Sequence, residues 1–384
     1  MDDLTIGFEA KRAFTNRTGL GSYARFVIRS LGRRFPQHRY LVYTPDPRPA
    51  AGLTWLDGIG RAAVRTPTGV ARFAAGALWR TFGLGRRAAR DGVRIFHGLS
   101  QELPRDLPPG GPVAVVTMHD MLAVRYPHYY PAIDRRVYLL KARWSTRRAR
   151  IVVATSEQTG RDLSEFLGVE PEKIRVVYQG TEPRFAVRLS AAAIGDVRRR
   201  HGLPEDYVLS VGTIEPRKNA LILLQALAAL PPDQRPFLVL VGRPTGYLRQ
   251  LETLAHQAGL DRSWRVLTGV PPEDLPALYQ GATLFLYPSR FEGFGIPVLE
   301  ALRSGVAVVT STGSCFTEVG GAAARYLDPD DPEALAEAIG SLLGDGAMRQ
   351  RMVAEGFRQA SRFDDDVLAD ALMNVYTEVL ACAT

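Results

Sequence analysis

Two carboxylates, Glu292 and Glu300, flank a short segment whose residue types suit the binding of an anion. An apolar run over 282–287 predicts a buried strand before this segment. Pro297 predicts the start of a helix after it, because proline suits the first helical position. The free N–H groups and positive dipole end of that helix favour phosphate. The residues that we predict to line this turn are Gly293, Phe294, Gly295 and Ile296.

Acidic side chains beside a phosphate site need polar, uncharged groups to bind. A sugar nucleotide offers two such sets, the hydroxyls of its hexose and those of its ribose. We therefore predict that Glu292 binds the hexose hydroxyls and Glu300 the ribose hydroxyls. Two alternatives stay open from these residues alone: a tight corner between a strand and a helix, or a glycosidase pair of acid and nucleophile.

A second candidate anion site lies earlier in the chain. The run 207–212 predicts a buried strand and 220–230 a helix, with Arg217 and Lys218 just before the helix. The helix dipole disfavours cations at that end, and an anion bound between them would reverse the effect. Because the glycosidase alternative gives these two cations no role, they favour a phosphate-containing ligand.

The first half of the chain carries its own candidate residues. A predicted strand at 4–8 is followed by a loop with Gly19 and Gly21, and then by a predicted helix at 22–33. Two later strands end in His97 and in His119, which Asp120 follows. Ligands of open parallel sheets gather at the carboxyl ends of strands. An ordinary loop and structural histidines are the alternatives, with His119 the stronger candidate.

Several of these motifs resemble those of glycosyltransferase family 4, whose members are retaining enzymes of GT-B fold. The segment 292–300 is similar to the family signature EGFGxPxxE, and Glu215–Asn219 to its EPRKN, mannosyltransferase-like branch. His119 and Asp120 resemble the HD pair that ends a strand in many members. Thr213 departs from the pattern, since the family usually has an arginine there. The glycine loop at Gly19 and Gly21 and the loop next to the nucleobase at Gly269 and Val270 are also similar.

The resemblance implies a transfer reaction. A hexose of the mannose or glucose type would move from a nucleotide-diphosphate sugar to a glycan or polyprenyl-linked acceptor, with retention and without metal or other cofactor. Gly21, Arg217, Lys218 and the helix at Pro297 would neutralise the leaving diphosphate. His119 would face the sugar, and Asp120 would orient its loop. Thr213, Gly269, Val270 and the turn before Pro297 would complete donor binding.

The pattern of elements predicts the architecture. Strands alternate with helices in both halves, which indicates two Rossmann-like, doubly wound α/β domains facing across a cleft. We expect an acceptor-side domain at 1–182 and a nucleotide-sugar domain at 183–365. A final helix near 366–384 is implied to pack back on the first domain.

Length, composition and charge bound the remaining possibilities. The 384 residues are 46% hydrophobic, which suits two domains with substantial cores and excludes a wholly disordered chain. Two cysteines form no disulfide framework, and no leader or spanning segment is evident, so we expect a cytoplasmic protein. The net charge of +8 also leaves open a nucleic-acid-binding protein. That alternative gives Glu292 and Glu300 no role, and we expect no nucleic-acid partner.

The basic residues concentrate in two places. The segment 61–94 has eight arginines and one acid, with Val70, Phe73, Ala74, Ala77 and Leu78 at helical spacing. It suits a helix on an anionic membrane surface, with packing on its own domain as the equal alternative. The stripe Ile133, Val137, Leu140 and Trp144 is interpreted instead as core. Asp328 and Asp330 resemble a metal-binding D-x-D but precede an N-cap and proline, so we expect no metal site.

Overall fold

The computed structural model describes residues 3–16, 19–46, 53–68 and 76–381. The chain divides into two compact units. Unit 1 comprises Met1–Gly180 with Phe363–Thr384, and unit 2 comprises Thr181–Arg362. Each unit contains a parallel sheet with helices between its strands, which confirms the predicted doubly wound α/β class.

Within the described part of unit 1, seven parallel strands form one sheet in the order β3-β2-β1-β4-β5-β6-β7. The inner strands are short apolar runs that are mostly buried on both faces, as a parallel sheet covered by helices requires, whereas the outermost strands β3 and β7 are only partly buried. The strands are β1 (Thr5–Glu9), β2 (Arg39–Tyr43), β3 (Ala62–Arg65), β4 (Ile95–Gly98), β5 (Val113–Met118), β6 (Ile151–Ala154) and β7 (Ile174–Val176). The helices are α1 (Lys11–Thr15), α2 (Gly19–Arg34), α3 (Gly76–Phe82), α4 (Leu84–Arg90), α5 (Leu122–Arg125), α6 (Ala132–Arg148), α7 (Glu157–Leu167) and the C-terminal α16 (Asp365–Ala381).

Unit 2 contains a sheet of six parallel strands, in the order β10-β9-β8-β11-β12-β13, among the residues described. The strands are β8 (Tyr207–Val211), β9 (Phe237–Val241), β10 (Trp264–Leu267), β11 (Leu284–Tyr287), β12 (Ala307–Ser311) and β13 (Ala324–Leu327). The helices are α8 (Ala191–Arg200), α9 (Ala220–Ala229), α10 (Leu248–Gln257), α11 (Leu275–Gln280), α12 (Ile296–Ser304), α13 (Phe316–Gly320), α14 (Pro332–Gly344) and α15 (Gly346–Ser361).

Helix α16 packs on α2 inside unit 1. Arg29 and Arg34 of α2 form ion pairs with Asp365 and Asp370, at 3.3 and 2.9 Å. At the other end of the helix, Tyr376 is fully buried. The buried side of α16 therefore belongs to the core of this unit.

Local sequence signals placed several helix starts correctly. Ser156 accepts a hydrogen bond from the backbone N–H of Thr159 at 3.0 Å, as expected of an N-cap. Asp331 accepts one from the N–H of Ala334 at 2.9 Å, with Pro332 opening the helix. Asp331 therefore caps α14. The sequence analysis predicted this cap, and for that reason did not interpret Asp328 and Asp330 as a metal-binding motif.

The interpretation of the stripe on α6 as core is wrong for three of its four residues. Ile133, Val137 and Leu140 are exposed, whereas Trp144 is partly buried. The fully buried residues of α6 are small, namely Ala142, Ser145 and Thr146. The helix thus packs on its sheet through a narrow side of small residues, which leaves its large apolar side chains outside.

The described part of the segment 61–94 has several elements, and the helix that includes Ala77 and Leu78 ends at Phe82, just before Gly83. It contains strand β3, an edge strand, and the separate helices α3 and α4, which meet at Gly83. Trp79 is buried, whereas Ala77 and Leu78 are exposed. Val70, Arg72, Phe73 and Ala74 of the predicted helix lie outside the described residues. Among the helices that are described, none has the length and apolarity needed to span a bilayer.

Candidate functional site

The carboxylate of Glu292 lies among four hydrogen-bond donors just beyond the carboxyl end of β11. Its Oε1 accepts from Arg217 Nη1 at 2.8 Å, from Lys218 Nζ, from Tyr287 OH at 3.0 Å and from Ser289 Oγ at 2.6 Å. Burial alone would raise the pKa of Glu292, but the adjacent Arg217 and Lys218 charges outweigh it and lower the pKa to about 2. Glu292 is therefore ionised throughout the physiological range.

The two cations are held in a single 3₁₀ turn, Pro216–Lys218, before α9. Arg217 also donates to Glu215 Oε1 at 2.7 Å and to the carbonyl of Phe291 at 2.8 Å. Burial lowers the pKa of Lys218, and the Glu292 charge offsets part of that effect. With Glu215 and Glu292 as counter-ions, the cluster is preorganised at low net charge, which the sequence did not predict.

The backbone of Glu292 is fixed by a residue from a later loop. Ser314 Oγ accepts from the N–H of Glu292 at 3.0 Å and donates to its carbonyl at 2.8 Å. Ser314 has a φ of 53°, a left-handed conformation that non-glycine residues rarely adopt. The sequence did not predict Ser314, Tyr287 or Ser289 as site residues. For Tyr287, its position at the end of a predicted strand was the one available signal.

The turn between β11 and α12 has the form that the sequence predicted. Gly295 lies in the left-handed region with a φ of 94°, and α12 begins at Ile296, so Pro297 is the second rather than the first helical residue. Phe294 is buried, and Gly293 and Ile296 are partly exposed. The nine-residue helix α12 thus starts four residues after Glu292 in the chain.

Further predicted residues lie at the same edge of this sheet. Thr213 follows β8 and Gly269 and Val270 follow β10, and all three are at least partly exposed. Gly269 has a φ of 65°, which suits glycine. Because the carboxyl ends of parallel strands share one edge, the structure places these residues on the side of the sheet that carries Glu292.

Glu300 is one turn into α12 and contacts Tyr279 of α11. Tyr279 OH donates to Glu300 Oε2 at 2.9 Å, and the tyrosine is fully buried. Burial raises the pKa of Glu300 to about 8, against the opposing effect of the Tyr279 hydrogen bond. The two glutamates therefore differ in ionisation, which their spacing in the sequence did not indicate.

The raised pKa of Glu300 predicts a pH-dependent affinity for nucleotide. A ribose hydroxyl donates best to the carboxylate, so we expect affinity to increase as the pH rises through about 8. Tyr279→Phe removes the bond that lowers this pKa, and should move the midpoint upward. Isothermal titration with nucleoside diphosphates between pH 6 and 9.5 measures both. In Glu300→Gln the dependence should vanish, and a profile that persists in this variant would refute the assignment.

In unit 1, His119 lies directly beyond β5 and is buried. Its Nε2 donates to the carbonyl of Leu99 at 2.8 Å, which leaves Nδ1 as an acceptor, and its ring meets the edge of the Tyr23 ring at 4.7 Å. Burial lowers the pKa of His119 to about 4, so the ring is neutral near pH 7. Asp120 accepts from the N–H of Leu122 at 3.0 Å and thus shapes the loop that follows His119.

His97 is a structural residue of unit 1. Its Nδ1 is 2.7 Å from Tyr376 OH, and its Nε2 is 2.8 Å from Thr117 Oγ1, which also lies 2.9 Å from Tyr23 OH. Burial lowers the pKa of His97 to about 3. Hydrogen bonds and a ring contact therefore connect α16, through His97 and Tyr23, to the ring of His119.

The two glycines near the start of the chain lie within a helix and not in a loop. Helix α2 begins at Gly19, so Gly21 is in its first turn. The short helix α1 occupies part of the segment that was predicted to be a loop. A Cβ on Gly21 would lie 1.8 Å from the carbonyl oxygen of Asn16. Gly21 is thus required for the close approach of the preceding backbone, whatever its role toward a ligand.

Among the described residues, no group of three or more His, Cys, Asp or Glu side chains is arranged to hold a metal ion. Asp330 pairs with Arg290 at 2.6 Å, and Asp328 accepts from the N–H of Asp330 at 2.9 Å. Cys315 is a buried free thiol, and Cys382 lies outside the described residues.

The fold and the sequence both match known glycosyltransferases. Residues 196–359 match the family described as glycosyl transferases group 1, and residues 17–185 match glycosyltransferase family 4. The solved structure of Anabaena HepE in complex with UDP and glucose has the same fold, with a TM-score of 0.74 and 21% identity over 98% of this chain and all of that one. WaaG, a glycosyltransferase involved in lipopolysaccharide biosynthesis, also has this fold, with a TM-score of 0.70 and 19% identity over 97% of this chain and 99% of that one. The protein is thus a glycosyltransferase of GT-B fold.

The sequence relatives define the family. The chain is 32% identical over 285 residues to the O-antigen chain mannosyltransferase B of Escherichia coli, covering 73% of this chain and 74% of that one. It is 34% identical to the D-inositol 3-phosphate glycosyltransferase of Acidothermus cellulolyticus, covering 60% and 53%. The chain spans about a third of the length of the E. coli serotype-specific mannosyltransferase WbdA that it matches. The chain belongs to glycosyltransferase family 4, which decides against the glycosidase and nucleic-acid alternatives.

Proposed function

We propose that this protein transfers a hexose of the mannose or glucose type, with retention and without a metal ion, from a nucleotide-diphosphate sugar. The observation that carries the proposal is the cluster of Arg217, Lys218 and Glu292 beside the start of α12. Two partly buried cations and a helix N-terminus suit a diphosphate, while an ionised carboxylate suits the hydroxyls of a sugar.

The proposed reaction breaks the bond between the anomeric carbon and the diphosphate oxygen. Arg217 and Lys218 stabilise the negative charge that develops on this leaving group. The acceptor hydroxyl attacks from the same face, and its proton passes to the leaving phosphate oxygen. Glu292 holds hydroxyls of the transferred sugar, and Glu300 holds those of the ribose. The contributions predicted for Gly19, Gly21, His119 and Asp120 remain predictions.

The relatives support the choice of sugar and acceptor. A mannosyltransferase of O-antigen chains and a complex with UDP and glucose indicate mannose or glucose as the hexose. We propose a growing glycan or a polyprenyl-linked glycan as acceptor, and the cytoplasmic face of a membrane as the place of reaction. The formal charge of +8 suits an acceptor that carries phosphate.

A thermal-shift screen tests the donor. We expect one of GDP-mannose, UDP-glucose and ADP-glucose to raise Tm by several degrees, since a ligand at a hundred times its Kd stabilises by about 2.7 kcal/mol. The shift should persist in EDTA and be strongly reduced in Lys218→Met. A shift that needs a divalent cation would contradict metal independence, and a shift that is unchanged in Lys218→Met would contradict the site. Product anomeric configuration, measured by NMR, tests retention.

A further inference from the structure

An exposed arginine lies at the edge of the unit 2 sheet that carries the candidate site. Arg243 follows the end of strand β9 by two residues, and ligands of open parallel sheets bind at this carboxyl end. Among the residues that the structure describes, its guanidinium has no hydrogen bond, ion pair or ring contact. Arg290, at the same edge, is instead paired with Asp330 at 2.6 Å. Arg243 is therefore a cation at the ligand-binding edge that no described carboxylate neutralises.

The backbone pairing of β8 and β9 continues beyond the two strands. Ile214 forms a parallel bridge with Pro244 and donates its N–H to the carbonyl of Arg243 at 2.9 Å. The same register places Thr213 beside Arg243. Because neighbouring strands of a sheet are only about 5 Å apart, Arg243 lies next to a residue that is predicted to bind the donor.

Two glycines bring this arginine close to Lys218. A Cβ on Gly212 would lie 3.6 Å from Lys218 Cε, so the lysine side chain lies against Gly212. A Cβ on Gly242 would lie 1.8 Å from the carbonyl oxygen of Gly212, which is closer than any side chain allows. Gly242 immediately precedes Arg243 in the chain. Lys218 and Arg243 thus belong to one region of the sheet edge.

The cluster around Glu292 is electrically balanced without a ligand. Its two cations, Arg217 and Lys218, are paired with the carboxylates of Glu215 and Glu292, so the four side chains have no net formal charge. A sugar-linked diphosphate carries a negative charge on each phosphate, and a helix dipole offsets only part of that charge. A diphosphate bound here therefore needs a further cation, and Arg243 has an unpaired guanidinium in the same region.

We propose that Arg243 binds the diphosphate of the nucleotide-sugar donor. This inference rests on the proposed function, and it adds a donor-binding residue to the cluster of Arg217, Lys218 and Glu292. The planar guanidinium of an arginine can donate parallel hydrogen bonds to a phosphate. A nucleobase is the other group that such an arginine could bind. The position of Arg243 beside Thr213 and close to Lys218 favours the phosphate.

Isothermal titration with UDP, GDP and ADP tests this assignment without using the transferase reaction. The parent protein should bind at least one of these nucleotides. Arg243→Gln should weaken that binding about 10-fold or more, which is typical for loss of one hydrogen bond to a charged group. The corresponding nucleoside, which lacks phosphate, should bind the parent protein and the variant equally. Because the side chain is exposed and unpaired, Tm should not change.

Arg262→Gln is the matched control. Arg262 is also an exposed arginine of unit 2, but it precedes β10 and so lies at the opposite edge of the sheet. This variant has the same net charge as Arg243→Gln and should bind nucleotide like the parent protein. Combining Thr213→Arg with Arg243→Gln should recover most of the lost affinity, because position 213 is partly exposed and lies beside Arg243 in the register.

Three results would overturn the assignment. The first is nucleotide binding by Arg243→Gln that equals binding by the parent protein. The second is an equal loss in Arg262→Gln, which would indicate a general effect of net charge. The third is an equal loss of affinity for the nucleoside, which would assign Arg243 to the base.

Lys218→Met separates this inference from the proposed function. If Lys218→Met loses nucleotide binding and Arg243→Gln does not, the donor site stands and only the role of Arg243 is wrong. If the parent protein binds none of the three nucleotides, both proposals fail.

Discussion

Lys218→Met is expected to reduce donor turnover by a factor of about 10²–10³, which is typical for loss of one preorganised group that stabilises developing charge. Nζ of Lys218 is partly buried and lies beside Glu292 Oε1 and 2.7 Å from Tyr287 OH. Burial lowers the pKa of Lys218. A bound diphosphate would raise this pKa again, because a nearby negative charge stabilises the protonated lysine. The protonated lysine in turn stabilises the negative charge of the leaving diphosphate.

The assay for this variant is release of nucleoside diphosphate from the donor identified by thermal shift. Methionine preserves the aliphatic stem, and Glu292 retains Arg217, Tyr287 and Ser289 as donors, so we expect the variant to fold. Lys173→Met is the matched control, because Lys173 of unit 1 contacts the carbonyl of Arg147 at 3.1 Å, outside the site. Full turnover in Lys218→Met would show that the diphosphate binds elsewhere.

Glu292→Gln is expected to separate binding from chemistry. The substitution removes the negative charge that compensates Arg217 and Lys218, so the affinity for free nucleoside diphosphate should be equal or greater. Turnover should nevertheless decrease by about 10²-fold or more, because the sugar loses the carboxylate that positions it. Calorimetry of nucleotide binding and donor hydrolysis by the same preparation give the two values.

The outcome of Glu292→Gln also distinguishes roles for this residue. Weaker nucleotide binding and a lower Tm would indicate that Glu292 only maintains the fold of the cluster. The pKa of Glu292 is about 2 in the folded protein and near 4.5 in the unfolded chain. The ionised carboxylate therefore stabilises the fold fully above pH 4.5, and this contribution is lost as the pH falls toward 2. The difference in stability between parent and variant should therefore shrink only in acid. If Lys218→Met and Glu292→Gln both retain turnover, the transferase site is misplaced.

The elements around Glu292 in unit 2 were predictable because their signals are local. A parallel-sheet strand such as β11 is an unbroken apolar run, and Gly295 with Pro297 marks the turn and the helix that follow it. Strands with mixed patterns were missed, as β3, β10 and β13 show. These lie at or beside sheet edges and are only partly buried, so their composition does not report their conformation.

The contacts that shape the site were not predictable, because they join distant residues. Ser314 fixes the backbone of Glu292, and Tyr279 donates to Glu300, each from more than twenty positions away. No spacing rule relates such residues, and their hydrogen bonds exist only after the sheet has formed. For the same reason the sequence assigned Arg217 and Lys218 to phosphate alone and did not place Glu292 between them.

The sequence by itself determined the fold class, the family and the identity of the charged residues, since periodicity and short motifs are properties of neighbouring residues. Only the tertiary structure decided which of these residues share one environment. It paired Glu292 with two cations, raised the pKa of Glu300 by burial, and engaged His97 in the core of unit 1. It also turned the apolar stripe of α6 outward, because small residues on the opposite side of that helix pack more closely against the sheet.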